Sequence, residues 1–249
     1  LTSLVLYLGG YPPIKKKTIM LESAGRPRTQ TQILNSATLY YLSAVAVAIG
    51  FRMNLFNIGV DGQYRLAALM AAAVGGAINL PAPLHVTVVI LTAILVGAMW
   101  ASIAALLKVT RGVSDVISTI MLNAISTYLV AYLLREASVQ EQGSNIIATK
   151  EIPEGSRIPG FALSDQAGAT VYGFVFIAIL LGIGYWVMLN RTRFGFDLRA
   201  TGRSEPAAIA SGINTKRMII YTMLISGGLA GLVGLPILFG TAYSYGSTF

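Results

Sequence analysis

Long runs of uncharged apolar residues constrain this chain more than any other feature. Each run is close to or longer than the roughly 20 residues that a helix needs to cross the hydrocarbon core of a bilayer. Two prolines, Pro81 and Pro83, divide the longest stretch, because proline stops a helix. The sequence therefore predicts an all-α, polytopic transmembrane helix bundle of about six complete helices, with residues 1–10 as the tail of an earlier span. The predicted spans are 33–51, 66–84, 85–107, 116–134, 171–190 and 218–249.

The composition excludes several other classes of protein. Hydrophobic residues make up 55% of the chain and charged residues only 11%, whereas a soluble domain carries about 25% charged residues. The formal charge of +8 comes from cations in loops between apolar spans, so membrane orientation explains it better than nucleic acid. Without cysteine the chain forms no disulfide and no thiolate metal site. We expect a multi-pass protein of the cell membrane with lipid around it and no nucleic-acid partner.

Loop charges predict the orientation of the spans. The loop at 190–217 is rich in Arg and Lys, which predicts a cytoplasmic position, and the loop at 136–170 is acidic, which predicts an extracellular one. Alternation then puts the basic segment 11–32 outside, against the rule, unless it lies on the membrane surface. We expect one transmembrane domain over residues 1–249, truncated at both ends because the chain starts without Met and stops after a run of residues that contains Gly and Tyr and closes no element.

A polar, glycine-broken octapeptide, FNIGVDGQ at 56–63, separates two apolar segments. Backbone groups freed by such a break stay paired only inside protein or against a watery cavity, so an interrupted helix near residues 56–63 marks a binding site. Asn57, Asp61 and Gln63 are therefore candidate solute contacts, since ionisable residues within a membrane are usually functional. Asp61 has the alternatives of capping a half-helix or pairing with Arg65. Arg65 in turn has three possible partners, and the sequence does not choose between them: it can bind a backbone carbonyl, pair with Asp61 or contact the solute.

A polar stripe follows in the fourth complete span, where Asp115, Thr119, Asn123 and Thr127 recur every four residues along one side of a helix. Read functionally, Thr119 and Asn123 line a translocation path. Read structurally, these side chains make contacts between helices, which are common and modest in strength. Both readings remain open. The single histidine, His85, lacks ligating neighbours in the sequence, so we predict no catalytic residue and no metal ligand.

The loop at 190–217 contains the sequences GFDLRATG at 195–202 and EPAAIASGIN at 205–214. Ser204 is suited to capping a short helix, and Gly212 to ending it in a left-handed conformation. This pattern resembles the cytoplasmic coupling loop of ABC importer permeases. The resemblance implies a coupling helix that contacts an ATPase through Gly202, Glu205, Ala207, Ala208 and Gly212. The alternative is an ordinary positive-inside loop with a surface helix.

Two further segments narrow the resemblance. LFNIGVDGQ at 55–63 and VSDVISTIMLN at 113–123 resemble the signature segments of the permease branch that includes ribose, branched-chain amino acid and nucleoside importers. They are most similar to guanosine-type nucleoside permeases, and the likeness covers about residues 33–240. Arg65 departs from the pattern, in which an apolar residue is expected.

The resemblance implies a permease subunit of an ATP-driven importer, working by alternating access, that is not itself an enzyme. No phosphate-binding G-x-x-x-x-G-K-[ST] motif is present in the sequence, so ATP and magnesium are expected to bind to partner ATPase subunits and no cofactor to bind to this chain. A second permease subunit and an extracellular solute-binding lipoprotein are the other expected partners. One alternative is a permease for a monosaccharide such as ribose. The alternative from a different class is a secondary transporter or channel without an ATPase.

Overall fold

Helices account for nearly all of the secondary structure in the computed structural model, which describes residues 9, 12–138, 147–164 and 168–246. Within these residues the only extended pairings are two isolated bridges, between Ala148 and Gly246 and between Phe161 and Val171. The predicted all-α fold is thus confirmed. The helices are α1 (Pro13–Gly25), α2 (Pro27–Phe51), α3 (Val60–Ala77), α4 (Ala82–Arg111), α5 (Asp115–Ala137), α6 (Phe174–Arg191), α7 (Arg193–Arg203), α8 (Glu205–Ala210), α9 (Thr215–Gly231) and α10 (Leu235–Ile237), with a 3₁₀ turn at Glu154–Ser156 and a π turn at Leu238–Ala242.

Five of these segments are long and apolar enough to cross a membrane. They are α2, α4, α5, α6 and the run Thr215–Ala242 that begins with α9. The second predicted span, 66–84, has the wrong bounds, because its helix is Val60–Ala77. Asp61 in the first turn suits the positive end of the helix dipole, and residue 80 precedes Pro81, a position that disfavours helix. The expected span 218–249 is likewise divided after Gly231.

Within the basic segment 11–32, residues 13–25 and 27–32 are helical, which corrects the expectation that the first complete span begins at residue 33. This segment contains α1 and the first turn of α2. The Asn35 amide of α2 donates to the carbonyl of Thr170 at 3.0 Å, and its oxygen accepts from the amide of Tyr172 at 2.9 Å. Residues 27–32, which precede Asn35 in α2, therefore lie at the end of the bundle that carries residues 168–173. The predicted tail of an earlier span, at 1–10, falls almost entirely outside the described residues.

Loops gather at two ends of the bundle. At one end, Asn54 donates to the carbonyl of Gly202 at 2.8 Å, and the amide of Phe56 donates to Asp115 at 2.6 Å. We call the loop at 190–217 the coupling loop, after the resemblance given above, and we call the end of the bundle where it lies the coupling end. At the opposite end, Ile152 pairs with Tyr243 at 2.8 Å. The chain therefore reverses direction at 52–59, and α2 and α3 run antiparallel. Which end faces the cytoplasm stays a prediction.

The core of the bundle is built around α3, α4 and α9. In the run Thr215–Ala242, 72% of the most apolar 18-residue stretch is buried inside the protein, whereas in α6 the buried share is 17%. Helix α6 therefore lies at the periphery. Glycines let α4 and α9 approach closely: a Cβ on Gly97 would collide with the carbonyl of Gly227, and one on Gly231 with the carbonyl of Ala93. Packing of small residues is the usual source of stability between helices in lipid, where the hydrophobic effect supplies no drive.

Candidate functional site

The predicted break is present, and it leaves α3 without a cap of its own. Helix α2 ends at Phe51 and α3 begins at Val60, with Gly59 as N-cap residue and no side-chain cap bond. The first amides of a helix have no partner within the helix. Asn123 of α5 supplies one: its oxygen accepts from the amide of Gly62 at 2.9 Å, while its nitrogen donates to the carbonyl of Ile58 at 2.8 Å. Asn123 is therefore a cap contributed by another helix.

A second set of hydrogen bonds lies beneath the start of α3 and is fully enclosed. Asn57 and Gln63, each 1% exposed, form a reciprocal amide pair with both bonds at 2.9 Å. Asn57 also donates to Ser226 of α9 at 2.8 Å, and Ser226 donates to the carbonyl of Ala46 in α2 at 2.7 Å. The pair thus ties α3 to α2 and α9. Satisfied polar groups in a buried network rigidify the structure around them.

Glycines make this close approach possible. A Cβ on Gly59 would lie 2.8 Å from the side-chain Nε2 of Gln63 and 3.2 Å from Cβ of Thr119. A Cβ on Gly62 would collide with the hydroxyl of Ser126. Thr119 is fully buried, and its hydroxyl donates to the backbone of α5. The glycines of the octapeptide therefore allow α3 to pack against α5.

Asp61 and Arg65 form the accessible side of the same helix turn. Their side chains are 50% and 39% exposed, and the Arg65 Nε lies 3.1 Å from the Asp61 carboxylate. The guanidinium lies 5.7 Å from the ring centre of Tyr64. Of the open roles, the structure has Arg65 paired with Asp61. The influence of Arg65 reaches Tyr245: burial raises the pKa of the Tyr245 phenol, and the charge of Arg65 works in the opposite direction.

The structure therefore brings all six predicted pathway residues together, on the segment that precedes α3, on the first two turns of α3 and on the facing side of α5. It separates them into two groups. Asn57, Gln63 and Thr119 are buried and hydrogen-bonded, whereas Asp61, Arg65 and Asn123 are at least partly accessible. That any of them contacts solute stays a prediction.

The coupling loop folds as its local sequence indicates. The hydroxyl of Ser204 accepts from the amide of Ala207 at 3.4 Å at the start of α8, and Gly212 has φ +81° after its end. Glu205 and Ala207 are exposed on this helix, and Ala208 is 2% exposed and faces inward. A groove of about 430 Å³ lies between α7 and α8. It is lined by Phe196, Arg199, Ala200, Arg203, Ser204, Ala207, Ala208 and Ser211.

Comparison with known proteins gives the family. The family described as branched-chain amino acid transport system / permease component matches residues 30–248. The chain belongs to this family. It is thus an integral membrane protein, in agreement with its five membrane-length apolar segments.

Several curated relatives are similar to this chain over most of its length. It is 33% identical to the guanosine ABC transporter permease protein of Bacillus subtilis, over 82% of this chain and 58% of the relative. It is 27% identical to the glucose ABC transporter permease protein of Haloferax volcanii, over 88% and 59%, and 26% identical to a nucleoside ABC transporter permease protein of Lactococcus lactis, over 96% and 67%. The chain thus spans about three fifths of the first two. No solved structure matches it.

The structure also identifies residues that the sequence did not single out as part of the site. Lys108 lies 2.6 Å from Asp115, which also accepts from the amide of Phe56, so this ion pair holds the octapeptide against α4 and α5. Ser226, which is distant in the sequence, accepts a hydrogen bond from Asn57 of the buried amide pair. No pattern in the neighbouring sequence indicates this contact. Asn54 was detectable in principle, because Asn before a helix break tolerates the left-handed conformation, and its φ is +54°.

Proposed function

We propose that this permease is the membrane subunit of an ATP-driven importer of nucleosides. The observation that carries the proposal is the 33% identity to a guanosine permease over 82% of the chain, joined by the similarity to a nucleoside permease over 96% of it. In this proposal the chain provides the path for the solute, and separate subunits hydrolyse ATP.

The accessible side of α3 has the chemistry that a nucleoside requires. Asp61 offers carboxylate oxygens that accept hydrogen bonds from ribose hydroxyls. Arg65 offers donors to the carbonyl and ring nitrogen acceptors of a base, and Tyr64 presents an aromatic ring on which a base can stack. The ion pair between Asp61 and Arg65 is exposed, so it stabilises the structure by at most about 1 kcal/mol. A solute that binds either side chain therefore has to overcome only this small free energy when it breaks the pair.

A second candidate solute is a monosaccharide, which the glucose permease relative favours. A sugar uses the hydroxyl-binding groups of the same site but has no base for Tyr64 or Arg65. Competition between nucleosides and free sugars therefore separates the two candidates.

The partners in this proposal are two ATPase subunits, a second permease subunit and an extracellular solute-binding lipoprotein. We assign the ATPase contact to the coupling loop, where Glu205, Ala207 and the 57% exposed Ile209 project from α8. Gly202 and Gly212 set the ends of this surface, and Ala208 anchors it. Closure of the ATPases on ATP would then shift the permease between two conformations.

The test is uptake of radiolabelled guanosine into proteoliposomes that contain the assembled transporter. We expect ATP-dependent uptake that unlabelled guanosine and adenosine reduce and that ribose and glucose leave unchanged. If labelled ribose or glucose is taken up in this assay and labelled guanosine is not, the monosaccharide replaces the nucleoside as the solute. Uptake that needs no ATP would refute the importer itself.

A variant pair tests the accessible site. Asp61→Asn removes the charge of the proposed ribose contact, and we expect about a tenfold rise in KM or more, as for loss of a charged hydrogen bond of roughly 1.5–3 kcal/mol. Glu151→Gln is the matched control, because Glu151 and Arg157 form an ion pair of similar length, 3.0 Å, at the opposite end of the bundle. An unchanged KM in Asp61→Asn would exclude this residue from the solute site.

A further inference from the structure

A direct connection joins the coupling loop to the connection between α2 and α3. The side-chain amide of Asn54 donates to the carbonyl of Gly202, the penultimate residue of α7, at 2.8 Å. Gly202 approaches so closely that a Cβ would collide with the carbonyl of Arg52 and lie 2.9 Å from Cα of Met53. Asn54 has φ +54°, a conformation that costs a non-glycine residue energy and persists only where the surroundings hold it.

Both sides of this contact are attached to rigid parts of the bundle. On one side, Leu198 of α7 is fully buried in an apolar cluster that includes Ile49 and Leu55. On the other, the amide of Leu55 donates to the carbonyl of Gly50 at 3.0 Å, and the next amide, of Phe56, donates to Asp115. The turn at 52–55 therefore has little freedom to move independently of α7.

The same turn leads directly to the buried amide pair. Three residues after Asn54, Asn57 bonds to Gln63 and to Ser226. A displacement of α7 at Gly202 is thus transmitted to the first turns of α3 through the four consecutive residues 54–57 and the pairing of Asn57 with Gln63. A polar pocket of about 230 Å³, lined in part by Asn54, Lys108 and Arg203, lies beside the contact and leaves room for small shifts.

We propose that Asn54 is a positioning residue that carries motion of the coupling loop to the start of α3, so that residues 52–57 and α7 move as one unit. This inference rests on the proposed function, since it assumes that ATPase subunits drive the loop. Bistable packed elements joined by such contacts convert small shifts at one site into changes at another.

The decisive variant is Asn54→Gly. Glycine adopts positive φ without strain, so this change removes the amide-to-carbonyl bond while the turn keeps its shape. We expect the transporter to assemble and hydrolyse ATP, with uptake per ATP hydrolysed reduced about tenfold, within the roughly 5- to 150-fold range of coupling between two sites. Asn35→Ala is the matched control, because it removes a long-range amide-to-carbonyl bond of 3.0 Å at the opposite end, and we expect its ratio to stay at the wild-type value.

A distance measurement tests the rigid unit directly. The sequence has no cysteine, so in this chain spin labels attach only at the introduced Phe56→Cys, which is 45% exposed, and Arg193→Cys, and they report the separation of the segment 52–57 and α7. We expect this separation to be the same with and without bound ATP in the otherwise unchanged transporter, and to become dependent on ATP when Asn54→Gly is added.

The outcomes are distinct from those of the functional proposal. If the unchanged transporter shows no ATP-driven guanosine uptake, the proposed function fails first. If it does transport, an unchanged ratio of uptake to hydrolysis in Asn54→Gly overturns the inference. Loss of ATPase binding in this variant also overturns it, because Asn54 would then support docking of the partner and not transmission.

Discussion

The most informative perturbation is Asn123→Ala, because it separates a structural role from a solute contact. Asn123 caps the first turn of α3 through Gly62 and holds the carbonyl of Ile58. Alanine removes both bonds and introduces no larger group, so nothing else in the packing has to move.

The magnitude follows from the two bonds. Loss of a cap at a helix start costs about 0.5–2 kcal/mol. The bond to Ile58 lies at the exposed side, so its loss adds about 0.5–1 kcal/mol, the lower part of the range for a hydrogen bond. The sum is about 1–3 kcal/mol, which for a chain of this size lowers Tm by roughly 2–12 °C.

The assay is thermal unfolding of the purified permease in detergent, together with the KM of uptake. Thr127→Val is the matched control, since Thr127 donates only to the carbonyl of Asn123 within the same helix, at the exposed side, and we expect a change within about 0.5 kcal/mol. If Asn123→Ala unfolds at the same temperature as Thr127→Val, the tertiary cap is refuted. A raised KM with unchanged Tm would instead favour solute contact.

Two further predictions concern the joints of the bundle. Asp115→Asn deprives Lys108 of its counter-ion, and we expect the free energy of unfolding, measured with denaturant, to fall by about 1–3 kcal/mol. This is less than the roughly 3–5 kcal/mol for a fully buried pair, because the Lys108 side chain is 27% exposed. A fall smaller than that for a surface ion pair would contradict this. Gly231→Ala forces a methyl group against the carbonyl of Ala93, whereas in Gly228→Ala the methyl group lies 3.2 Å from the Cγ2 methyl of Ile94 and 3.5 Å from the carbonyl oxygen of that residue. We therefore expect about 1–3 kcal/mol of destabilisation from the first and clearly less from the second, and equal unfolding curves would refute the close-packing explanation.

Prediction from sequence succeeded for the coupling loop because its structure is local. Ser204 caps the amide of a residue three positions ahead, and Gly212 ends the helix through its own backbone conformation. Such interactions depend on neighbours in the chain, so their pattern is readable in the sequence. The apolar spans were predicted for a similar reason, since length and hydropathy alone decide whether a helix suits a bilayer.

The octapeptide at 56–63 was recognised as a break, but its sequence does not say where in the bundle the break lies. Its partners are distant: Asn123 lies 61 positions from Gly62, and Ser226 lies 169 positions from Asn57. Only the packing of α3, α5 and α9 brings them together. The prediction that Asn57 and Gln63 face a pore did not anticipate that the two amides satisfy each other in a closed pair.

The sequence by itself thus determined that this protein is a membrane helix bundle with a broken helix and a capped loop helix, because hydrophobicity, glycine and caps act over short distances. Tertiary structure alone decided that the break lies at the coupling end and contacts Gly202 through Asn54. The physical reason is that a buried or unpaired polar group takes whichever partner the packing brings within hydrogen-bond distance, and packing is a property of the whole bundle.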